Sequence, residues 1–268
     1  MSSKLIAGGC SFTFGNELSD DDGANPSKNT WAAKLSVNYD YTCVAKGGYG
    51  NSSIARRVFD EVTNYNNDSV LGDTVHGVVV MWSFISRYDW AMPRHQSLEN
   101  TRWASISPWD TSMAEEERHN AIAGSEPQQE EWKRRDKEAT ETGVRNFADS
   151  LYKYAANEYH ELYLSWKSII WLQNLLEKKK IPFMFTLADN SLFYSTEKKH
   201  SDHDQLLGKL YKEIDFTKWH FFGDRMMGFN QWSLLEDYDR GTTHPLDKAH
   251  KDATILMLPT FNKLIGGK

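Results

Sequence analysis

Long apolar runs, cysteines and surplus positive charge are scarce in this sequence, and each scarcity argues against a class of protein. No apolar run approaches the roughly 20 residues of a membrane-spanning helix, so we expect no membrane span. The two cysteines, Cys10 and Cys43, lie in short apolar runs typical of buried strands, and we predict no disulfide framework. A formal net charge of -6 gives no broad basic field for phosphates, which argues against a general nucleic-acid binder.

The chain does contain enough apolar residues for a packed core. With 40% apolar and 25% charged residues among 268, its composition is globular, and we expect a single domain over residues 1–268 with one insertion. Because most of its strand-length apolar runs are apolar on both faces and alternate with helix-length segments, we predict a five-stranded parallel sheet in a three-layer α/β/α sandwich. The five runs are Leu5–Gly9, Tyr41–Ala45, Gly77–Phe84, Pro182–Ala188 and Trp219–Phe222.

Apolar residues at helical spacing lie between these runs. Ser52 or Ser53 can cap a helix that follows the second run. Another helix contains Tyr163–Leu176 and should end at the lysines before Pro182, because cations suit a helix C-terminus.

Two other regions complete the predicted organisation. A last helix should run from about Leu246 to Leu264, where Pro259 should kink it or end it early. At about 88–159 the pattern changes to Pro, Ser and Trp followed by mixed charges, and we interpret this region as an inserted helical and loop segment.

A serine stands where the first predicted strand leaves the sheet. Ser11 follows Gly8-Gly9-Cys10, at the carboxyl edge where ligands usually bind in open α/β folds. Taken alone, such a serine is more typical of a helix cap than of a nucleophile. The small residues before it permit a tight turn that exposes the hydroxyl and frees the Ser11 N–H to donate toward an oxyanion.

A histidine near the other end of the chain can act as the base. His244 lies just before the last predicted helix, and imidazole titrates near neutrality, so it can accept the serine proton. The chain has nine histidines, and a lone histidine is more often a packing or surface residue. The prediction therefore depends on the position of His244 rather than on its identity.

These motifs together resemble the SGNH (GDSL-type) hydrolase family. Gly9-Cys10-Ser11 is similar to its Gly-Asp-Ser first block, Lys46–Ile54 to its second block, and His244-Pro245 with Ala249-His250 to its last. The resemblance implies Ser11 as nucleophile, His244 as base and the backbone N–H of Gly48 as an oxyanion donor. It also implies a flavodoxin-like SGNH fold.

Two aromatic segments further resemble a bacteriophage-encoded branch of that family. They are Thr30-Trp31 and the run from Trp82-Ser83 to Arg87. The apolar run Leu5–Ala7 is too short for a signal peptide, so we expect a cytoplasmic protein, in the host cytoplasm or the virion if it is phage-encoded.

The chain departs from the family after the third strand, where members usually carry Gly-x-Asn-Asp. It reads Met81 to Arg87 as Met-Trp-Ser-Phe-Ile-Ser-Arg, which lacks the oxyanion asparagine. Asn51 or a hydroxyl of Ser83 or Ser86 can substitute, because the requirement is a donor aimed at the developing charge. Asn51 is equally typical of a turn or helix cap. Arg87 can hold an anionic substrate group or form a structural ion pair.

The second departure concerns the carboxylate that orients the histidine. In the family an Asp lies two or three residues before that histidine, where this chain has Thr242 and Gly241. Asp237 and Asp239 are the candidates near enough in sequence, and a backbone carbonyl can also hold the ring as a weaker dyad. Loss of such a carboxylate can cost about 10⁴ in rate.

The resemblance implies a serine esterase that cleaves an acyl or acetyl ester of a small molecule or carbohydrate. We expect no cofactor, no metal, and no nucleic-acid or membrane partner. The alternative is an SGNH-fold protein with lost or weak catalysis that acts as a binding or assembly module, such as a phage structural module, with a protein partner bound through the insertion at about 88–159.

Overall fold

The computed structural model describes residues 3–65, 74–92, 103–114, 126–194 and 203–266. Within these ranges the strands are β1 (Ser3–Gly8), β2 (Asp40–Cys43), β3 (Thr74–Trp82), β4 (Tyr88–Ala91), β5 (Trp103–Ile106) and β6 (Phe183–Leu187). The α-helices are α1 (Ser11–Phe14), α2 (Trp31–Leu35), α3 (Asn51–Asn64), α4 (Glu126–Glu141), α5 (Val144–Tyr154), α6 (Glu158–Lys178), α7 (Gly208–Lys212), α8 (Phe229–Leu235) and α9 (Asp247–Leu264). Short 3₁₀ segments and one π-helical turn, His203–Leu207, lie between them.

A four-stranded parallel sheet forms the centre of the fold. Its strand order is β2-β1-β3-β6. Leu5 of β1 pairs with Tyr41 on one side and Gly77 on the other, and Val80 of β3 pairs with Phe185 of β6. Because all four strands are parallel, their carboxyl ends share one edge, and the segments that follow β1, β2 and β3 meet there.

Helices cover both faces of this sheet, which accounts for strands that are apolar on both sides. One face packs against α3 and α6, through the buried residues Ile54, Val58, Leu162, Ile169 and Leu172. The other packs against α2, α8 and α9, through Trp31, Phe229, Ala253, Met257 and Phe261. The prediction of an α/β fold with a parallel sheet between helices is confirmed.

The predicted fifth strand is wrong. Trp219–Phe222 contributes one isolated bridge, between Phe185 and Trp219, and one hydrogen bond from the His220 N–H to the Phe185 carbonyl. The chain then turns away, with Arg225 and Met226 both in left-handed backbone conformations. The apolar character that suggested a strand serves side-chain packing, since Trp219 lies in one core and Phe222 in the other.

The helices that the sequence predicts after the second apolar run, before Pro182 and near Leu246–Leu264 are present, with differences at their ends. Gly50, and not Ser52 or Ser53, is the N-cap residue of α3. Pro259 does not end the last helix, since α9 continues through it to Leu264. Among the described helices, none is long and apolar enough to cross a membrane, and Cys10 and Cys43 are both free thiols.

The described part of the predicted insertion contains strands as well as helices. β4 and β5 form an antiparallel pair, and α5 packs beside it to form a small separate cluster of Met92, Ile106, Val144 and Ala148. Trp90 stacks on Phe147 at 4.2 Å between ring centroids. This tryptophan therefore belongs to the core of the inserted segment.

Candidate active site

Ser11 is the first residue of α1, directly after the turn that leaves β1. Cys10 is the N-cap residue, so Ser11 is not a cap. A Cβ atom at Gly8 would lie 2.4 Å from Val58, and one at Gly9 would lie 2.1 Å from Thr13, which explains the small residues before the serine. Ser11 is 6% exposed, so it is more buried than the sequence predicts.

His244 lies against this serine. Its Nε2 atom is 2.7 Å from the Ser11 Oγ atom, across 233 positions of sequence. The ring of Phe12 packs edge-on against the imidazole with centroids 4.8 Å apart. The loop that carries His244 is closed by the hydrogen bond from the Gly241 N–H to the His244 carbonyl. The two residues that the sequence predicts as a reactive pair are therefore in contact.

Glu17 is the second partner of the imidazole, and the sequence reasoning missed it. Its Oε2 atom lies 3.1 Å from Nδ1 of His244 and also accepts the backbone N–H groups of Thr243 and His244, at 3.0 and 2.9 Å. Burial opposes ionisation of Glu17, but these hydrogen bonds and the imidazole outweigh it and lower its pKa to about 2. Glu17 is therefore a carboxylate throughout the neutral range.

Gly241 provides the space that Glu17 occupies. A Cβ atom at Gly241 would lie 2.6 Å from the Glu17 Oε2 atom. Glu17 itself has a left-handed backbone, with φ of 69°, which is uncommon for a residue with a side chain and typical of strained functional sites. The sequence signal for this arrangement is that no acid stands just before His244. The glycine found there leaves room for an acid from another loop.

The predicted orienting residues Asp237 and Asp239 are not near the ring nitrogen. Both are exposed, and among the described residues neither carboxylate forms a hydrogen bond with His244. The backbone carbonyl of Asp239 instead accepts the N–H of Leu246. Besides Glu17, Nδ1 is close to the hydroxyl of Thr243, at 2.8 Å. The carboxylate in contact with Nδ1 is therefore that of Glu17, and neither predicted aspartate contacts this atom.

Two backbone N–H groups near the carboxyl edge of the sheet are unpaired among the described residues. Within the described part of the chain, those of Ser11 and Gly48 have no hydrogen-bond partner. Gly48 is the third residue of a turn closed by the Tyr49 N–H and the Lys46 carbonyl, and its φ of 82° suits a type II turn. The Lys46 N–H bonds to the Gly9 carbonyl at 3.4 Å, so this turn lies beside the start of α1.

The side-chain amide of Asn51 forms hydrogen bonds through both its nitrogen and its oxygen. Its amide nitrogen donates to the Ser83 carbonyl at 3.2 Å and to the Ser165 hydroxyl at 3.0 Å, and its amide oxygen accepts the Ser83 N–H at 2.7 Å. Both amide protons are therefore occupied, and Asn51 joins the segments after β2 and β3 and the helix α6. This geometry contradicts its predicted role as an oxyanion donor.

Ser83 and Arg87 are also joined to the Gly48 turn. Nη1 of Arg87 donates to the Ser83 hydroxyl at 2.8 Å and to the Tyr49 carbonyl at 3.2 Å. The guanidinium lies over the Phe84 ring, 4.8 Å from its centroid. These contacts give Arg87 a structural role in holding the segment after β3, and its contact with an anionic substrate stays a prediction. The carbonyl of Ser86 accepts the Tyr152 hydroxyl.

No protein-family model matches the chain, and no curated protein matches it in sequence. Solved structures of GDSL and SGNH hydrolases are similar to it. A protein assigned to the lipolytic G-D-S-L family from Desulfitobacterium hafniense has 12% identity and a TM-score of 0.44, covering 96% of this chain and 99% of its own. Phospholipase A1 from Streptomyces albidoflavus has 10% identity and a TM-score of 0.42, over 98% and 100%.

A GDSL-like lipase from Bacteroides thetaiotaomicron has 12% identity and a TM-score of 0.40, and the similarity covers 97% of this chain and 88% of the lipase. All three TM-scores are below 0.5. The chemistry assigned to this chain therefore depends on its own geometry, and none of these structures bears on the bacteriophage branch.

Proposed function

We propose that this chain is a serine ester hydrolase of the SGNH type, with Ser11, His244 and Glu17 as its catalytic triad. The observation that carries the proposal is the continuous chain of contacts from the Ser11 Oγ through His244 Nε2 and Nδ1 to the Glu17 carboxylate, at 2.7 and 3.1 Å. Such a chain orients the imidazole and stabilises the imidazolium formed when it accepts the serine proton.

In the first half of the proposed reaction, His244 takes the Ser11 hydroxyl proton as Oγ attacks the ester carbonyl carbon. The backbone N–H groups of Ser11 and Gly48 stabilise the resulting oxyanion. When the tetrahedral intermediate collapses, the C–O bond to the alcohol breaks, and the imidazolium returns its proton to the leaving oxygen. Ser11 is left as an acyl ester.

In the second half, His244 takes a proton from water, and the resulting hydroxide attacks the acyl ester. The bond to the Ser11 Oγ breaks, the acid is released, and the imidazolium reprotonates the serine. Because the Glu17 pKa is about 2, Glu17 stays ionised in both halves and acts through the imidazole without taking the proton itself. All of these groups belong to the chain, so the proposed reaction needs no cofactor.

We propose an acyl or acetyl ester of a small molecule or carbohydrate as the substrate. The proposed site is at the edge where the segments after β1, β2 and β3 meet, and Arg87 lies on the β3 side of that edge, bonded to Tyr49 and Ser83. A substrate with an anionic group would be oriented by the remaining N–H groups of this guanidinium.

Labelling with a fluorophosphonate probe tests the triad directly. The probe should form one adduct, located on Ser11 by mass spectrometry, and the adduct should be absent in Ser11→Ala and strongly reduced in His244→Ala. Far-ultraviolet circular dichroism and thermal unfolding show whether each variant is folded. A folded wild type with no adduct, or Ser11→Ala with undiminished ester turnover, would overturn the proposal.

The alternative of a binding module with lost catalysis depended on two missing residues, the oxyanion Asn and the Asp before His244, and on the large polar insertion. Glu17 now provides a carboxylate partner for His244, which removes one of those reasons. The inserted segment packs against the Gly48 turn through a hydrogen bond from the Ser105 hydroxyl. If the folded protein is not labelled by the probe, the binding module becomes the favoured function.

A further inference from the structure

The inserted hairpin reaches the turn that carries the proposed oxyanion donor. Asp89 of β4 and Ser105 of β5 are directly paired in this antiparallel ladder, so their side chains lie side by side on the same face of the hairpin. That face packs against the N-terminal end of α3, and both side chains form hydrogen bonds there. The hairpin therefore contacts the site through polar atoms whose positions are fixed by strand pairing.

Asp89 anchors the hairpin on α3. Its carboxylate accepts Nε and Nη2 of Arg56 at 2.7 and 3.0 Å and the Ser53 hydroxyl at 2.7 Å, and its side chain is only 6% exposed. Bidentate pairing of this kind fixes orientation as well as distance. The Arg56 guanidinium also lies 4.4 Å from the ring centroid of Trp103 at the start of β5. The position of β5 relative to α3 is thus well defined.

From this fixed position, Ser105 holds the Gly48 turn through hydrogen bonds to Gly48 and Gly50. Its hydroxyl donates to the Gly48 carbonyl at 2.9 Å and accepts the Gly50 N–H at 3.2 Å. The Tyr49 N–H is held by the Lys46 carbonyl. Both polar atoms of the peptide between Gly48 and Tyr49 are therefore bonded, and this restrains rotation about ψ of Gly48.

We propose that Ser105 is a positioning residue for oxyanion stabilisation, acting through the Gly48 turn. The proposal rests on the proposed esterase function. The direction of the Gly48 N–H is set by the peptide between Gly47 and Gly48, which adjoins the peptide that Ser105 holds, and a flip of that adjoining peptide would remove a donor from the oxyanion. In this role Ser105 acts through the turn and not on the substrate, because its hydrogen bonds keep the turn in the conformation that aims the N–H. The insertion is thereby part of the machinery for the reaction.

The test compares kcat and KM for wild type, Ser105→Ala and Ser105→Thr on an ester that the wild type turns over. We expect Ser105→Ala to lower kcat about tenfold, with KM within about twofold, because a misaimed donor affects the transition state more than the bound ester. Ser105→Thr, which keeps the hydroxyl, should recover most of kcat. The matched control is Ser112→Ala, which removes a hydroxyl bonded to Asp149 in the same insertion and should leave kcat unchanged.

Amide hydrogen exchange at Gly50 provides a readout that does not need activity. Its N–H donates to Ser105, so its exchange should quicken in Ser105→Ala and stay slow in Ser105→Thr. An active wild type with an unchanged kcat in Ser105→Ala would overturn this inference alone. Unchanged Gly50 exchange would also overturn it. A wild type without ester turnover or probe labelling would instead overturn the proposed function, and the catalytic role of Ser105 with it.

Discussion

Replacing Glu17 with glutamine tests the contribution of a single carboxylate. Glutamine is nearly isosteric but cannot stabilise an imidazolium, so Glu17→Gln should lower kcat by about 10² to 10⁴ with little change in KM. The measurement is steady-state kinetics on the best ester. Asp239→Asn is the matched control, because that exposed carboxylate forms no hydrogen bond with His244, and it should keep full activity.

A second variant tests the same carboxylate by filling the space that Gly241 leaves for it. In Gly241→Ala the new methyl group would meet Oε2 of Glu17 at 2.6 Å, so the carboxylate must move away from His244. The methyl group would also lie 3.0 Å from Cδ and 3.1 Å from Cβ of Glu17. We therefore expect a kcat loss similar in kind, together with a lower melting temperature. Full activity in both Glu17→Gln and Gly241→Ala would show that the imidazole does not depend on Glu17.

Single residues differ in how far sequence alone could identify them. Ser11 lies in a short motif at the end of a strand, and His244 lies in one before a helix. Motifs of this kind can be recognised from the sequence alone. The role of Glu17 depends on a left-handed backbone and on the space left by Gly241, 224 positions away. Asn51 was misjudged because only the structure shows that both of its amide protons are occupied.

At the scale of the turn between β2 and α3, replacing Gly48 should change both stability and catalysis. The two effects can be measured separately. Gly48 has φ of 82° with open space where a Cβ atom would go, so Gly48→Ala should cost about 1 kcal/mol of unfolding free energy through backbone strain. It should also lower kcat at least tenfold by disturbing the proposed donor.

Gly23 is the matched control for this element. Its φ is 72° and its Cβ position is equally open, but it lies in an exposed loop outside the Gly48 turn. The Gly23 N–H bonds to Asp21, which also accepts the Glu17 N–H. Gly23→Ala should therefore show the same loss in urea denaturation as Gly48→Ala, with a much smaller loss of kcat. Equal kcat in the two variants would contradict the role given to the Gly48 turn.

Helices and strands could be predicted from the sequence where the spacing of apolar residues fits only one of the two types. β1, β3, β6 and α6 combine buried apolar runs with clear helix or strand spacing, and they form as predicted. Trp219–Phe222 has strand-like composition, but the left-handed residues that follow turn the chain after one bridge. The pairing of β4 with β5 was missed because each is short, with polar residues interspersed, so local pattern gave little signal.

At the scale of the whole molecule, two buried histidines couple stability to pH. Burial lowers the pKa of His250 to about 3, with a smaller effect of nearby His244, and burial lowers that of His220 to about 4. Nδ1 of His250 accepts the Trp31 N–H at 3.2 Å, which joins α9 to α2 through a neutral ring. Protonation of this nitrogen would break that bond inside the apolar core.

The sign of the effect follows from linkage. Both pKa values lie below the ordinary 6.5, so unfolding takes up protons at acid pH, and stability that is complete above pH 6.5 declines as pH falls toward 4. Near pH 5 each histidine should contribute roughly 1 kcal/mol per pH unit to the slope. Urea denaturation between pH 7 and 5 measures it, and His220→Gln should roughly halve the contribution of these two rings, since it removes one of them. An unchanged slope in that variant would mean that the His220 ring is not held neutral by burial.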